Sequence, residues 1–516
     1  MMKTAIVIGS GPSGSTAALT LIERGWSVQM IDIGATPDRD AAERKARAAS
    51  PVGLTDQDFN FLADKLFSGA VPLKSSWGSF YPYAVKDPVV NADLKLGALM
   101  SKGLGGFSSV WGGALLRLAN QEYRRWPLAV GALDQHYDAV ERLIRPLMTK
   151  DALWDNYPFC VEACWSAQGS TQAQSILKSL ENASANMDGW STLSGASRLA
   201  VRNNCNGCGY CMFGCPQDSI FNSESIVANL RTNERFSYLP GFEAIELQES
   251  SDSASVVARR QEDSALCRFS ADKVIVAAGA VATPVLLLRS HPALGELLVR
   301  DSQYFLLPLL WLRKAPSRVQ QGRALSEIFI ELDDLSVSEH RIHTQLYTYT
   351  RLYREKITRI NRFAAAPLLA HLADMAARHL MLAQSYLHSD DSGAIAVSLK
   401  GPGRTPFIED RPNTRTSMVL RRLRKRLKLV LSRSGLFPLA FLAEQAEIGR
   451  SYHLGASVPM ARTLERANES DMLGRPFGWS SIHIVDSSVL PTIPSTAPTL
   501  TIMANARRIA AEVSSF

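Results

Sequence analysis

The first thirty-two residues constrain this chain more than any other stretch. Thr4–Ile8 is a short apolar run that reads as a buried parallel strand. It leads straight into Gly9-Ser-Gly11-Pro-Ser-Gly14, and a helical pattern follows over Ser15–Arg24. Gly25 stops that helix, and Trp26–Ile31 forms a second strand ending on Asp32. Each part has a mechanical reason. Gly9 permits the tight turn, Gly11 lets backbone approach a pyrophosphate, and Gly14 lets helix and strand pack closely. Pro12 opens the helix without an N–H, and the free N–H groups from Ser13 onward face phosphate charge. Asp32 stands where a carboxylate accepts hydrogen bonds from a ribose diol. A strand, three glycines, a helix, a strand and an acid in this order specify an α/β fold holding a dinucleotide. By itself the unit fits FAD and NAD equally.

With 516 residues, 46% hydrophobic and 20% charged, the chain has the make-up of a globular protein of more than one domain. No fixed-period repeat or low-complexity tract occurs. The most apolar stretch, Phe363–Leu387, is broken by His371, Asp374, Arg378 and His379, and reads as an amphipathic or buried helix, not a membrane span. The first strand begins almost at once, with no leader before it, so the expected location is cytoplasmic. A net charge of +7 is modest for this size, and no nucleic-acid partner is expected. Its main concentration, Arg421–Lys428, lies within a helical leucine pattern over 419–431. Such a helix can touch an anionic membrane surface or an acidic partner. Alternatively it buries its stripe of Val419, Leu420, Leu423, Leu427 and Val430 in its own domain, which is the favoured reading.

Seven cysteines are an odd number, and four crowd into the run Cys205-Asn-Gly-Cys208-Gly-Tyr-Cys211-Met-Phe-Gly-Cys215-Pro216. That argues against a secreted disulfide framework. The spacing C-x2-C-x2-C-x3-C-P is the one by which bacterial ferredoxins hold iron–sulfur clusters. A 4Fe–4S cluster is therefore the leading reading, with Cys215 completing the ligand set or Cys160, Cys164 or Cys267 doing so. A structural zinc or thiol-rich loop and a set of inert buried thiols remain as alternatives, although zinc sites favour separated pairs.

Three further segments resemble the glucose–methanol–choline (GMC) family of flavoenzymes. The first is Gly103-Leu-Gly-Gly-Phe-Ser-Ser-Val-Trp-Gly-Gly113, followed by Arg125-Trp126-Pro127 and Leu133-Asp-Gln-His-Tyr137. The second is Ala271-Asp-Lys-Val-Ile-Val-Ala-Ala-Gly-Ala280 with Thr283-Pro284. The third comprises His453-Leu-Gly455, His483-Ile-Val-Asp486-Ser-Ser-Val-Leu-Pro491 and Ala497-Pro498-Thr499-Leu-Thr501 before a last helix. The resemblance implies FAD as cofactor. Gly106, Ser108, Ser109, Trp111 and Gly112 would wrap its pyrophosphate and ring edge, and Ala278 and Gly279 would pass beneath it. Ala244, in Pro240–Ala244, would contact the adenine, while Asp486, Ala497, Pro498 and Thr499 would meet the flavin. A helix N-terminus there would favour anionic reduced flavin.

The same resemblance makes His453 the active-site histidine, since alcohol oxidation needs a proton acceptor beside the hydroxyl. The family usually places Asn or His just before the final Pro-Thr turn, where this chain has Ala497. Thr496, Ser495 and His388 are the candidate replacements. The expected architecture is a discontinuous Rossmann-like FAD domain from 1–120, 200–300 and 446–516. An α+β substrate domain would use 301–445, with 121–199 as cap. The expected activity is a dehydrogenase oxidising a CH–OH group of a sugar, polyol or glycoside. A cluster that carries single electrons would then pass them to a protein or quinone acceptor. A flavin-dependent reductase or isomerase, and an electron-transfer protein lacking a substrate pocket, are the rivals.

Overall fold

The computed structural model describes residues 2–67, 74–85, 94–160, 169–184, 190–251, 253–313, 323–348, 350–352, 375 and 378–515. Thr4–Ile8 forms the central strand of a five-stranded parallel sheet, flanked by Ser27–Ile31 and Lys273–Val276. Phe236–Leu239 and Ile482–Ile484 close its two edges. Strands from the start, middle and end of the chain therefore share one sheet. Helices Pro12–Glu23 and Thr499–Val513 pack against each other, and both bury their apolar residues in the same core as the sheet. All of Thr4–Ile8 after its first residue is buried, as a parallel sheet of nearly continuous apolar strands requires.

The glycine turn is enforced by close approach. Gly9 has φ +97°, and a Cβ there would stand 2.4 Å from the Ala277 carbonyl oxygen. A Cβ on Gly14 would stand 2.0 Å from the Gly9 carbonyl oxygen. Helix, turn and the strand at 273–276 can meet only without those methyls.

A second, antiparallel sheet runs Leu436–Pro438, Tyr304–Trp311, Leu380–Tyr386, Ile342–Tyr347, Ile328–Asp333 and Ser191–Ala196, with Glu444–Gln445 also on the 304–311 strand. Its alternating residues divide cleanly. Phe305, Leu307, Leu309, Met381, Ala383 and Leu346 join a core with helices Thr171–Ser184 and Thr416–Arg433. Tyr304, Leu306, Leu382, Gln384, Tyr386, Gln345 and Tyr347 face the opposite way, towards a cavity. The whole is a mixed α/β fold, Rossmann-like on one side of that cavity and sheet-rich on the other.

One sequence expectation changes, and the favoured reading of the leucine stripe holds. Within Phe363–Leu387, residues 380–386 form a strand of this sheet, because alternation there serves two faces; 363–374 lie outside the described residues. In helix Thr416–Arg433 the stripe Val419, Leu420, Leu423, Leu427 and Val430 is fully buried, leaving the basic residues outward together with Met418 and Leu429. That stripe is not free to enter a membrane surface. Among the described residues, no helix is long and apolar enough to cross a membrane.

Candidate functional site

The two halves enclose a cavity of about 620 Å³. Gly9, Gly11, Pro12, Ser13 and Asp32 line it from the N-terminal turn, and Gly106, Ser108, Trp111 and Gly112 from the second glycine loop. Ala278 and Gly279 come from the returning strand, and His453, Asp486, Ala497, Pro498 and Thr499 from the C-terminal segment. Residues nearly five hundred positions apart thus share one wall. Two expected contacts lie elsewhere: Ser109 bonds back to the Gly106 carbonyl, and Ala244, in strand Phe242–Glu249, stands away from the cavity wall. Gly14 is packed behind the turn, where helix meets strand.

The electrostatics suit a dinucleotide. Helix Pro12–Glu23 has no side-chain cap and no acid in its first turn, and neither has Thr499–Val513. Both therefore open bare N–H groups and a positive dipole end on the cavity. Asp32 accepts from the Ser10 hydroxyl and from Tyr238 Oη at 3.2 Å, and Ser10 in turn accepts from Gly105 N–H at 3.0 Å. Burial pushes the Asp32 carboxyl up to about 6 despite those donors. Asp486 joins two walls, accepting from Gly279 N–H at 2.9 Å and Thr283 Oγ1 at 2.5 Å. Tyr137 anchors the start of the last helix, its hydroxyl 2.8 Å from Thr501 Oγ1 and accepting from Leu118 N–H at 3.1 Å.

His453 sits on the wall between two residues of positive φ, Tyr452 at +57° and Ala456 at +56°. Such conformations cost free energy and cluster at functional sites. Gly455 is required because a Cβ would stand 2.3 Å from the Ser487 carbonyl oxygen. Asp301, legible in no motif, holds the loop: it accepts from Gly449 N–H at 2.7 Å and from the Ser451 hydroxyl. Ser451 Oγ then accepts from His453 N–H at 2.9 Å. Burial, with His343 nearby, lowers the His453 imidazole to about 3, so it is neutral at physiological pH. Its Nδ1 has no hydrogen-bond partner among the described residues.

The three candidate companions of His453 do not join it. Ser495 donates to the Arg341 carbonyl at 2.8 Å, and neither it nor Thr496 lines the cavity. His388 stacks on His340, with centroids 3.6 Å apart and planes 11° apart, and its Nε2 lies 3.2 Å from Glu122 Oε2. Glu122, His340 and His388 bring ligand atoms within 4.8 Å of one another. Asp390 beside them pairs with Arg125 and Arg300, both of them more than two-fifths exposed.

All four cysteines of the run line one small recess of about 10 Å³ together with Val201, Gly214 and Pro216. None is in a disulfide. Cys215 Sγ accepts from Ser219 N–H at 3.1 Å. Cys160 is instead near Asp138 and Glu141, Cys267 lies on the edge strand Leu266–Ala271, and Cys164 lies outside the described residues. Among the described residues, no ligand grouping within 4.8 Å contains the run, so its thiols do not form a closed cage for a single ion. Leu325 lines both recess and cavity, and Met212 projects from the run into the cavity wall. Lys74 also lines the cavity, donating to the Trp111 carbonyl at 2.8 Å; burial lowers its ammonium to about 8.

The sequence pattern of GMC oxidoreductases matches residues 5–296, and the C-terminal pattern of the same enzymes matches 429–506. Two uncharacterized GMC-type oxidoreductases of Mycobacterium tuberculosis, from strains CDC 1551 and H37Rv, are each 26% identical over 339 residues. The match covers 59% of this chain and 50% of theirs, so the chain spans about half the length of those relatives. Pyridoxine 4-oxidase from Mesorbium loti superposes over 100% of both chains with a TM-score of 0.63 at 15% identity. At that identity the likeness speaks for the fold.

Proposed function

Because this chain belongs to the GMC oxidoreductase family, whose members are FAD-dependent, we propose that it is a dehydrogenase oxidising a CH–OH group, with electrons leaving through the cysteine run. The observation that carries the reading is the convergence of two uncapped helix N-termini, Asp32 and His453 on one cavity. In this assignment Gly11 and Gly106 give the pyrophosphate its close approach, and Asp32 accepts from the ribose. Asp486 and the 497–499 turn hold the ring end. When bound, the flavin supplies the acceptor for the carbinol hydride. His453, neutral, accepts the hydroxyl proton.

The substrate-facing wall carries Gln345, Gln384, Tyr304, Tyr347 and Arg450 among apolar residues. Hydrogen-bonding side chains at such density suit a polyol, sugar or glycoside. Ferredoxin spacing and the shared wall at Leu325 and Met212 support a 4Fe–4S cluster on Cys205, Cys208, Cys211 and Cys215. The recess must widen to admit it. Such a pair of groups would serve a protein or quinone acceptor better than oxygen.

Protein purified without oxygen is expected to show flavin bands and about four irons per chain. Anaerobic addition of polyols and sugars should bleach the flavin. Flavin without iron would remove the cluster, and bleaching by no alcohol would remove the CH–OH assignment. A second reading, an oxidase of an aromatic primary alcohol, is favoured by the fold shared with pyridoxine 4-oxidase. Oxygen consumption with pyridoxine would select it. The cavity lies open beside His453, which disfavours an electron carrier without a substrate pocket.

A further inference from the structure

His453 lacks a polar companion at 497, where Ala497 presents only a methyl to the cavity. The structure puts a different group beside the imidazole. Tyr386, the last residue of strand Leu380–Tyr386, stacks on His453 with centroids 4.6 Å apart and planes 20° apart. It shares the cavity-facing side of its strand with Leu382 and Gln384, while Met381 and Ala383 point into the core. Among the described residues its hydroxyl has no hydrogen-bond partner. Its neighbours are engaged: Tyr347 Oη donates towards Gln345 Oε1 at 2.8 Å and Gln384 Oε1 at 3.2 Å. A phenol hydroxyl on the cavity wall with no partner among the described residues is placed to bond a ligand there.

We propose that Tyr386 is a second catalytic residue, donating a hydrogen bond to the same substrate oxygen from which His453 takes the proton. The proposal rests on the reading of this cavity as a CH–OH oxidation site. A neutral imidazole held at low basicity is a weak proton acceptor on its own. It becomes adequate where the negative charge developing on the oxygen is met by a fixed donor in a water-poor site. Burial pushes the Tyr386 phenol well above its usual range, so it keeps its proton and acts only as donor. The hydroxyl proton moves to His453, the carbinol hydrogen leaves with its electron pair for the flavin, and Tyr386 ends unchanged.

The variant is Tyr386→Phe in the flavin-loaded protein. The hydroxyl bonds nothing among the described residues, so flavin content and thermal midpoint are expected to match wild type. The probe is 4-nitrophenolate, whose oxygen carries the charge the site should stabilise, with nitrobenzene as the uncharged control. Tyr386→Phe is expected to weaken phenolate binding about 10- to 100-fold, the size of one hydrogen bond to a charged acceptor. Nitrobenzene binding should not change. Phenolate binding by Tyr386→Phe within twofold of wild type, or none by wild type, overturns the proposal. If the phenolate contrast holds but no alcohol bleaches wild-type flavin, the oxyanion contact stands and the CH–OH reading fails.

Discussion

A Cβ on Gly11 would meet no protein atom closer than 4.0 Å, whereas one on Gly14 would stand 2.0 Å from the Gly9 carbonyl. The two glycines therefore answer to different demands, one from a ligand and one from the fold. Gly11→Ala is expected to fold with an unchanged thermal midpoint yet bind FAD roughly tenfold or more weakly by fluorescence titration. Gly14→Ala should instead destabilise the protein by about 1–3 kcal/mol through overpacking. Asp32 makes a second prediction. Its carboxyl sits near 6 against an ordinary 3.8, so between those values the folded apoprotein holds a proton that the unfolded chain has lost. This group's contribution to apoprotein stability thus falls as pH rises through that interval. FAD, which needs the carboxylate as acceptor, should bind fully above about pH 6 and progressively more weakly below it. Asp32→Asn should abolish that pH dependence and weaken binding at pH 7 about tenfold or more. Both residues stood out in the sequence, since the fingerprint specifies what a backbone and a carboxylate must do. The burial that raises Asp32 was not visible there.

At the scale of elements, the His453 loop shows how a motif depends on a residue outside it. Asp301 ends strand Glu296–Asp301, which pairs with Leu454–Gly455, and from there its carboxylate ties down Gly449 and Ser451. Burial pushes it up to about 7 against those hydrogen bonds. Asp301→Ala leaves the Gly449 N–H and the Ser451 hydroxyl without their acceptor, at about 1–3 kcal/mol each. The expected outcome is a lower thermal midpoint and much slower flavin reduction with FAD still bound. Full-rate reduction would show that the loop holds itself. No spacing rule links position 301 to position 453, so this contact was illegible in the sequence. The leucine stripe of helix Thr416–Arg433 was legible as a pattern, but its choice between a membrane and a core depended on an apolar sheet face formed by distant strands. Leu423→Ala should accordingly cost about 2–5 kcal/mol by denaturant unfolding.

Across the whole molecule, the cavity is lined from both ends of the chain and from two sheets. A ligand bridging them stabilises the folded state by mass action, about 2.7 kcal/mol at a hundredfold excess over Kd. Stripping the FAD should lower the thermal midpoint, and adding it back should raise that midpoint in a concentration-dependent manner. A midpoint indifferent to FAD would show that the walls hold together without it. The recess beside that cavity gathers Cys205, Cys208, Cys211 and Cys215 and leaves Cys160 and Cys267 elsewhere. Under the proposed cluster assignment, alanine at any of the four is expected to lose iron, and Cys267→Ala to retain it.

The sequence by itself determined the local chemistry: the turn at Gly9, the acid after the second strand, the run of thiols, and the histidine before Gly455. The turn and the acid follow from steric and hydrogen-bonding needs that act over a few residues, the thiol run from its spacing, and the histidine from the resemblance to the GMC family. Tertiary structure decided which of them meet. It set Ser109 and Ala244 apart from the cavity, engaged Ser495 and His388 elsewhere, and brought Tyr386 onto His453. It also placed the cysteine recess against the dinucleotide cavity through Leu325 and Met212. Such encounters depend on strand order and on side-chain alternation across sheets, which relate residues far apart in the chain and leave no spacing to read.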